Sequence, residues 1–168
     1  MRLAAILLCL AFLSGCGTRP YAPQEYPLRD GLIPSFNVAG AVAVSNAQPA
    51  SEEFIVYSYM GTKLGSDLKS ITQLMVEQTV KELQKNGRTG AGAQKSIALK
   101  VDSLVSEYGH AMFWRSSIVF QATLGNGQVL DFKVPHTSGS PFQNLNGNIA
   151  EGVMVMLRDE RVRTYLAS

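Results

Sequence analysis

Two histidines, His110 and His136, carry the imidazole groups of this chain that could transfer protons or bind a metal. With Ser138 and Asp131, His136 would supply the residue types of a Ser/His/Asp hydrolase. However, no Gly-x-Ser-x-Gly turn or oxyanion-hole feature accompanies them. The two histidines also make a poor zinc site, because neither cysteines nor a carboxylate at helical spacing accompany them as further ligands. We therefore predict no enzyme activity, no metal and no other cofactor.

The segment at residues 90–96, GAGAQKS, has some of the glycine and lysine content of a phosphate-binding loop. Gln94 stands where that motif requires a glycine before the lysine. The segment is also predicted to join a helix to a strand, whereas a phosphate loop joins a strand to a helix. We predict that it is a flexible connector.

Cys16 ends a short apolar run, Leu3 to Leu13, which follows the basic residue Arg2. About 11 apolar residues suit the core of a signal peptide and fall short of the roughly 20 that span a bilayer. The residues Leu13-Ser14-Gly15-Cys16 resemble a bacterial lipobox. That resemblance implies a diacylglyceryl group on the Cys16 thiol, cleavage between Gly15 and Cys16, and acylation of the new amino terminus. The alternatives are an ordinary secretory signal with a chance cysteine and a buried apolar N-terminus.

The residue after the cysteine bears on the destination membrane. Gly17 stands where an aspartate retains many Gram-negative lipoproteins at the inner membrane, so the resemblance implies the periplasmic face of the outer membrane. Two or more acyl chains would make this attachment effectively permanent. Cys9 lies inside the predicted signal, so the folded part contains no cysteine and no disulfide.

Size and charge limit the function classes. The 168 residues carry 15 basic and 13 acidic side chains, and loss of Arg2 with the signal leaves 14 basic ones. This balance gives no basic excess to drive nucleic-acid binding. The chain is long enough for one domain with a single core. We divide it into a signal peptide (1–15), an acylated cysteine with a Pro-rich tether (16–35), and a single periplasmic domain (36–168).

The tether contains four prolines and few aliphatic residues, a composition typical of an extended spacer. Polyproline geometry reaches about 3.1 Å per residue. Such a spacer would lift the domain off the lipid surface.

Alternating apolar residues predict strands at 36–44, 97–105, 118–124 and 129–134. The run from Phe54 to Tyr59 is also rich in residues that favour a strand, with an edge extension or a loop as the alternatives. Asn126-Gly127 predicts a tight hairpin, because this pair tolerates the positive φ of a type I′ turn. Each strand has one apolar and one mixed face, which favours an antiparallel sheet with helices on one side.

Helical periodicity predicts a long helix at 66–86, capped by Ser66 and stopped by Gly87. A second helix is predicted to begin near Asn148, because Asn148 and Glu151 have capping-box spacing. A final helical turn or two is predicted at 159–166. The predicted fold is α+β, a two-layer sandwich with a mainly antiparallel sheet of about four strands and two helices on one face.

This order of elements resembles the YajG-type small lipoproteins of Gram-negative bacteria and, more loosely, the auxiliary lipoproteins of ABC-type lipid transporters. By pattern the resemblance covers most of residues 36–166, and it is carried by the segments ALKVDSLVSEYG, IVFQATLGNGQVLDFKV and LRDERVRTYL. The YajG-type family is not known for an enzyme activity. The resemblance therefore implies no catalytic residues for this chain.

The segment from Tyr108 to Trp114 joins two predicted strands and contains the chain's one tryptophan. Phe113 and Trp114 either continue the next strand and cap the core, or belong to a loop tip that contacts a lipid, a glycan or a protein. We therefore select Tyr108, Phe113 and Trp114 as the possible partner contact. Polar residues on the strand face away from the helices are either plain solvent-facing positions or a second docking surface: Lys100, Asp102, Gln121, Thr123, Asp131 and Lys133.

We expect a non-catalytic accessory, assembly or docking factor for an envelope complex, held in the outer membrane by acyl chains on Cys16, with an envelope protein as partner. The alternative is an auxiliary component of a transport system that binds a lipid or another amphiphile in a cleft between sheet and helices. An enclosed apolar pocket between these layers would favour the alternative. A filled core would favour the docking factor.

Overall fold

A computed structural model describes residues 17–168 of the chain. The predictions for the signal peptide at 1–15 and for acylation of Cys16 fall outside these residues. The described residues form nine strands and three helices, in the order β1 (Thr18–Pro20), β2 (Phe36–Ala39), β3 (Val42–Asn46), β4 (Glu53–Tyr59), β5 (Thr62–Asp67), α1 (Leu68–Asn86), β6 (Gly87–Gly90), β7 (Lys95–Tyr108), β8 (Trp114–Leu124), β9 (Val129–Ser138), α2 (Pro141–Arg158) and α3 (Glu160–Ala167).

Seven strands form one mixed sheet in the order β1-β5-β4-β7-β8-β9, and β3 pairs with the first half of β7. The pairs β4/β5, β7/β8 and β8/β9 are antiparallel, whereas β1/β5, β3/β7 and β4/β7 are parallel. Strands β2 and β6 form a separate parallel pair. The α+β class is confirmed. The prediction of about four mainly antiparallel strands understated the sheet, because the short strands β1 and β5 have little alternation in their sequences.

The predicted first strand is interrupted at Gly40. This glycine has a φ of 79°, and a Cβ at this position would lie 2.6 Å from the carbonyl oxygens of Gly92 and Ala93. Only glycine combines that left-handed φ with such a close approach. The chain therefore leaves the small sheet after β2 and enters the large sheet as β3.

The first helix begins later than predicted, because β5 continues to Asp67. The N-cap is Asp67, not Ser66, and its carboxylate accepts a hydrogen bond from the Ser70 backbone N–H at 2.8 Å. Partial burial alone would raise the pKa of Asp67, but the hydrogen bonds from Ser70 outweigh it and hold the pKa below its usual value.

The second helix begins at Pro141, seven residues before the predicted start. Ser140 is its N-cap and accepts from the Gln143 N–H at 3.2 Å, while Pro141 occupies a first-turn position that suits proline. Asn148 is therefore not a cap but a buried residue inside α2, and the residues before it, 135–145, are mostly strand and helix. Two helices were predicted with a trailing turn, and that turn is a third helix, α3, capped by Asp159.

The core lies between the sheet and the helices. It consists of the inward side chains of β7, β8 and β9 and the apolar stripes of α1 and α2, all buried. The Phe120 and Phe132 rings stack with centroids 4.9 Å apart. Gly152 lets α2 approach closely, since a Cβ there would lie 3.3 Å from atoms of Phe120 and Met75. The sheet–helix interface is therefore filled by side chains.

The predicted tether packs against the domain, and we call residues 18–35 the strap. The strap begins with β1, and its Tyr21 and Ile33 are buried. The Tyr21 hydroxyl donates to the Asn146 side-chain carbonyl, and Lys81 of α1 forms an ion pair with Glu25 at 2.6 Å. Burial raises the pKa of Tyr21. The prolines set an extended backbone, but single aromatic and aliphatic residues between them anchor the strap, so it is not a free spacer.

Among the helices formed by residues 17–168, none is both long enough and apolar enough to cross a bilayer.

Candidate functional site

The segment selected from the sequence lies at one end of the large sheet. Strands β4 and β7 are parallel, with Tyr57 paired to Ser106, so both strands end on the same side. The β4–β5 turn therefore lies beside the β7–β8 loop. We call this region the aromatic end, and it consists of Tyr57, Tyr59, Met60, Tyr108, Met112, Phe113 and Trp114.

Aromatic rings form the base of the aromatic end. The Tyr59 and Tyr108 rings stack at 4.4 Å, and Tyr108 meets Trp114 edge-on at 5.5 Å. The indole N–H of Trp114 donates to the Tyr57 hydroxyl at 3.2 Å. Pairs of this kind contribute about 0.5–1.5 kcal/mol beyond the area they bury. Trp114 is half-buried and begins β8. It therefore continues the strand, as the first of the two alternatives for this segment predicted.

Exposed apolar side chains form the tip of the aromatic end. Met60 is 85% exposed, Met112 73% and Phe113 52%. The loop that carries Phe113 is closed by two backbone hydrogen bonds, from Gly109 N–H to Phe113 O at 2.8 Å and from Phe113 N–H to His110 O at 3.1 Å. Phe113 therefore lies in the β7–β8 loop and not in β8. The packed rings at the base hold the exposed apolar side chains of the tip in place.

Three residues of this tip have left-handed backbone conformations although none is glycine. The φ angles are 47° at Met60, 52° at Ala111 and 66° at Met112. A left-handed conformation costs roughly 1–2 kcal/mol for a residue with a Cβ. Strain of this size is retained mostly where the surrounding structure enforces it, and such positions cluster at functional sites.

A buried polar cluster ties α2 to the strands beneath the aromatic end. Asn144 accepts from the Ser106 hydroxyl at 2.7 Å and donates to the Trp114 carbonyl at 3.0 Å. Asn148 donates to the Ser116 hydroxyl at 2.6 Å. Removing one partner of a buried hydrogen bond of this kind typically lowers the free energy of unfolding by about 1–3 kcal/mol. The cluster therefore fixes the start of β8, and with it Trp114, relative to the helix.

The residues considered for acid–base chemistry are not brought together. His136 forms a 2.6 Å contact with Glu151 through Nδ1, a partner that the sequence analysis did not assign to it. Ser138 instead donates to the Ser140 carbonyl at 3.1 Å, and Asp131 points to the opposite face of the sheet. The pairing of His136 with Glu151 joins β9 to the middle of α2.

The glycine-rich segment and His110 lie in two separate loops. Residues 91–94 form a loop between β6 and β7, so a strand precedes the loop but no helix follows it. His110 is exposed in the β7–β8 loop. Within residues 17–168, no group of three or more histidine, cysteine or acidic side chains is arranged to hold a metal ion.

A small depression of about 110 Å³ lies between α1 and the strands β2 and β3, and two others lie outside the sheet–helix interface. One of about 270 Å³ lies between the strap and α2 and is lined in part by Tyr26, Leu28, His136 and Met154. Another of about 440 Å³ lies at the opposite end of the sheet, beside Asn126 and Tyr165. Both open to solvent.

Comparison with known proteins identifies the fold without a family. No protein-family model matches the chain, and no curated protein matches it. The crystal structure of protein XCC0632 from Xanthomonas campestris, of family model DUF330, is similar at a TM-score of 0.51 and 16% identity over 88% of this chain and 95% of that one. A solved uncharacterized protein gives a TM-score of 0.42 at 13% identity, over 84% of this chain and 95% of that one. The chain shares the fold of XCC0632.

The mixed face of the sheet is uncovered by any element of the described chain. Its polar residues are those predicted to face away from the helices, and Lys100 and Asp102 pair across 2.7 Å. Three exposed aliphatic side chains accompany them: Ile55, Val105 and Val129.

The sequence indicates three residues of the aromatic end: Tyr108, Phe113 and Trp114. It does not indicate that Tyr57, Tyr59 and Met60 lie beside them. Their segment, YSYMGT, has an aromatic on alternate positions followed by Met-Gly, which is a signal for a strand and a turn. What the sequence does not indicate is the parallel pairing of β4 with β7. That pairing brings together two loops about 50 residues apart.

Proposed function

We propose that the mature chain is a lipoprotein, held in the outer membrane by acyl groups on Cys16 with its domain in the periplasm. We further propose that the domain acts by binding, as a non-catalytic accessory or docking factor for an envelope complex. The lipobox-like residues and the following Gly17 support the anchor. The resemblance in pattern to YajG-type lipoproteins supports a binding role, and the closer family assignment is part of this proposal.

One observation carries the proposal. Thr18, two residues after Cys16, is already part of the large sheet through its pairing with Lys63 of β5. An acylated Cys16 would therefore hold the domain close to the bilayer, with at most about 7 Å of chain between Cys16 and Thr18. Such a short connection suits a docking factor, because it keeps the domain beside partners in the same membrane.

The filled core favours docking over the alternative of an amphiphile bound in a cleft between sheet and helices. The facing side chains Leu99, Phe120, Ile149 and Val153 have no exposed surface. A lipid chain in that position would have to displace them. Small-ligand sites are usually largely pre-formed cavities of about 300–1,000 Å³.

The anchor is tested by mass spectrometry of the protein purified from membranes. We expect a mature amino terminus at Cys16 that carries acyl groups, and we expect a Cys16→Ala variant to remain uncleaved and unacylated. A wild-type chain that is cleaved elsewhere, or that lacks acyl groups, would contradict the proposal.

Docking is tested by site-specific photo-crosslinking in living cells. A photoreactive residue is placed in turn at Phe113 on the aromatic end, at Gln121 on the uncovered face, and at Gln84 on α1 as the matched exposed control. We expect one envelope protein to be captured from one surface and not from Gln84, and capture to be lost in Cys16→Ala. Phospholipid that co-purifies in equimolar amount, with no protein captured from any position, would instead favour the amphiphile binder.

A further inference from the structure

The described chain begins at the aromatic end. Strand β1 is parallel to β5, and Thr18 pairs with Lys63, two residues after Gly61 in the β4–β5 turn. Two residues of chain reach at most about 7 Å. The covalent chain therefore limits the distance between Cys16 and Thr18 to about 7 Å.

The most exposed apolar side chains are concentrated at the same end. Met60, Met112, Phe113 and Phe142 are four of the five most exposed large apolar residues among residues 17–168. Phe142 lies at this end because Ser138, the last residue of β9, pairs with Trp114, and α2 begins shortly afterwards at Pro141. Single exposed apolar residues are ordinary, but a cluster of them marks a surface that is covered in use.

Basic side chains surround this cluster. Arg19 and Lys63 are exposed on the neighbouring strands β1 and β5, and Arg115 is exposed at the start of β8. Glu107, the cross-strand neighbour of Arg115, is the nearby acidic residue on β7. A basic rim around an apolar tip is complementary to a bilayer with anionic headgroups.

We propose that the aromatic end is a membrane-contacting surface, and that Met60, Met112 and Phe113 enter the headgroup region of the bilayer that holds Cys16. The inference rests on the anchor in the proposed function. Tyr59 and Tyr108 lie just above the tip, where amphipathic rings suit the boundary between apolar and polar regions.

The short connection to Cys16 favours the bilayer over a protein as the occupant. Acyl chains in the membrane keep Cys16 at the bilayer surface, so Thr18 and the neighbouring β4–β5 turn lie close to that surface. An α-helix with its side chains is about 10–12 Å across. The stretch of about 7 Å between Cys16 and Thr18 therefore leaves no room for a folded partner between the β4–β5 turn and the membrane.

The experiment measures the environment of each end on vesicles. The mature chain has no cysteine besides Cys16, so Met112→Cys, Met60→Cys and Asn126→Cys each provide one free thiol for an environment-sensitive fluorophore. Asn126 is the matched control in the exposed turn at the opposite end. The purified acylated proteins are reconstituted into vesicles of phosphatidylethanolamine and phosphatidylglycerol, and association is verified by flotation.

We expect the fluorophore at 112 and at 60 to shift to shorter wavelength, to brighten several-fold, and to be quenched by lipids with a shallow nitroxide. The fluorophore at 126 should remain unchanged. If the protein floats with the vesicles but all three labels emit as in water, the membrane-contact inference is overturned while the anchor stands. If the wild-type protein does not float, the anchor and the inference fail together. Protein crosslinks from Phe113 with labels that remain in water would assign this end to a protein partner.

Discussion

The two ends of the large sheet use different kinds of residue to turn the chain. At the end away from Thr18, the β8–β9 turn places its positive φ, 87°, on Gly127. The Tyr165 hydroxyl accepts from the Ser96 and Gly125 backbone N–H groups, each at 3.0 Å. The exposed residues there are mostly polar.

At the aromatic end, positive φ falls on Gly61 but also on the non-glycine residues Met60, Ala111 and Met112, and the most exposed side chains are apolar. Glycine would adopt these angles without strain, and polar residues would leave no apolar patch. The contrast shows that the polar end is built as folding alone requires. The aromatic end departs from that rule in both backbone and side chains, and this departure supports the proposal that it contacts the membrane.

The largest effect separates the base of the aromatic end from its tip. We expect Trp114→Ala to lower the free energy of unfolding by about 3 kcal/mol, because the ring packs against Tyr108 and bonds Tyr57. Phe113→Ala, on the exposed tip, should change it by less than about 0.5 kcal/mol. Urea unfolding followed by circular dichroism measures both. Equal effects would remove the distinction between base and tip.

The next effect concerns the polar end. Tyr165→Phe removes the hydroxyl that accepts from the Ser96 N–H and donates to the Ser96 carbonyl, while the Gly125 N–H keeps the Ser96 carbonyl as an acceptor at 3.0 Å. We therefore expect a loss of about 1.5 kcal/mol in the same assay. Tyr59→Phe is the matched control at the aromatic end, where the tyrosine acts through ring stacking, and should cost less than about 0.5 kcal/mol. A larger loss in Tyr59→Phe would reverse the comparison.

A smaller effect tests the backbone conformations directly. Gly127→Ala introduces a Cβ at positive φ and should lower the free energy of unfolding by about 1 kcal/mol. Ala111→Gly removes a Cβ at positive φ and should raise it by about 1 kcal/mol. The pair is compared by thermal and urea unfolding. Stabilisation by both, or by neither, would mean that the two ends do not differ in strain.

The smallest effect at neutral pH concerns the strap that leaves the aromatic end. Burial raises the pKa of Tyr21, so the native state retains this proton above pH 10 while the unfolded chain releases it. Stability from this group is present below pH 10 and declines above it. At pH 11 the wild type should have lost about 1 kcal/mol more than Tyr21→Phe, relative to pH 9. Parallel pH curves for the two proteins would contradict burial of the tyrosine.

The sequence predicts the centre of the fold better than its edges. Strands β7, β8 and β9 are long and buried on one side, so residues such as Ile97, Phe120 and Leu130 alternate with polar ones and reveal both strand and face. The Asn126-Gly127 turn was identified for the same local reason. Strands β1 and β5 were missed because TRP and TKLGSD carry no alternation, and their pairing depends on contacts distant in sequence.

Two predictions were misled by local patterns that tertiary contacts override. Asn148 and Glu151 have capping-box spacing, yet Asn148 is buried and bonds Ser116, while Glu151 pairs with His136. The proline content of the strap is typical of a spacer, but it does not reveal that Tyr21 finds a buried site against α2. The candidate site was half predicted, since Phe113 and Trp114 are adjacent in sequence and Met60 reaches them through the sheet.

The parallel pairing of β1 with β5 has a mechanical consequence. Thr18, Arg19 and Pro20 lie opposite Lys63, Leu64 and Gly65, and β1 begins at the end of the sheet nearest Cys16. A force applied through the anchor would act along the strand, so it would shear the β1–β5 hydrogen bonds together instead of opening them one at a time. The buried Tyr21 ring, directly after β1, adds packing that would also resist this movement. If Cys16 is acylated as proposed, tension on that anchor would be resisted by the β1–β5 hydrogen bonds acting together.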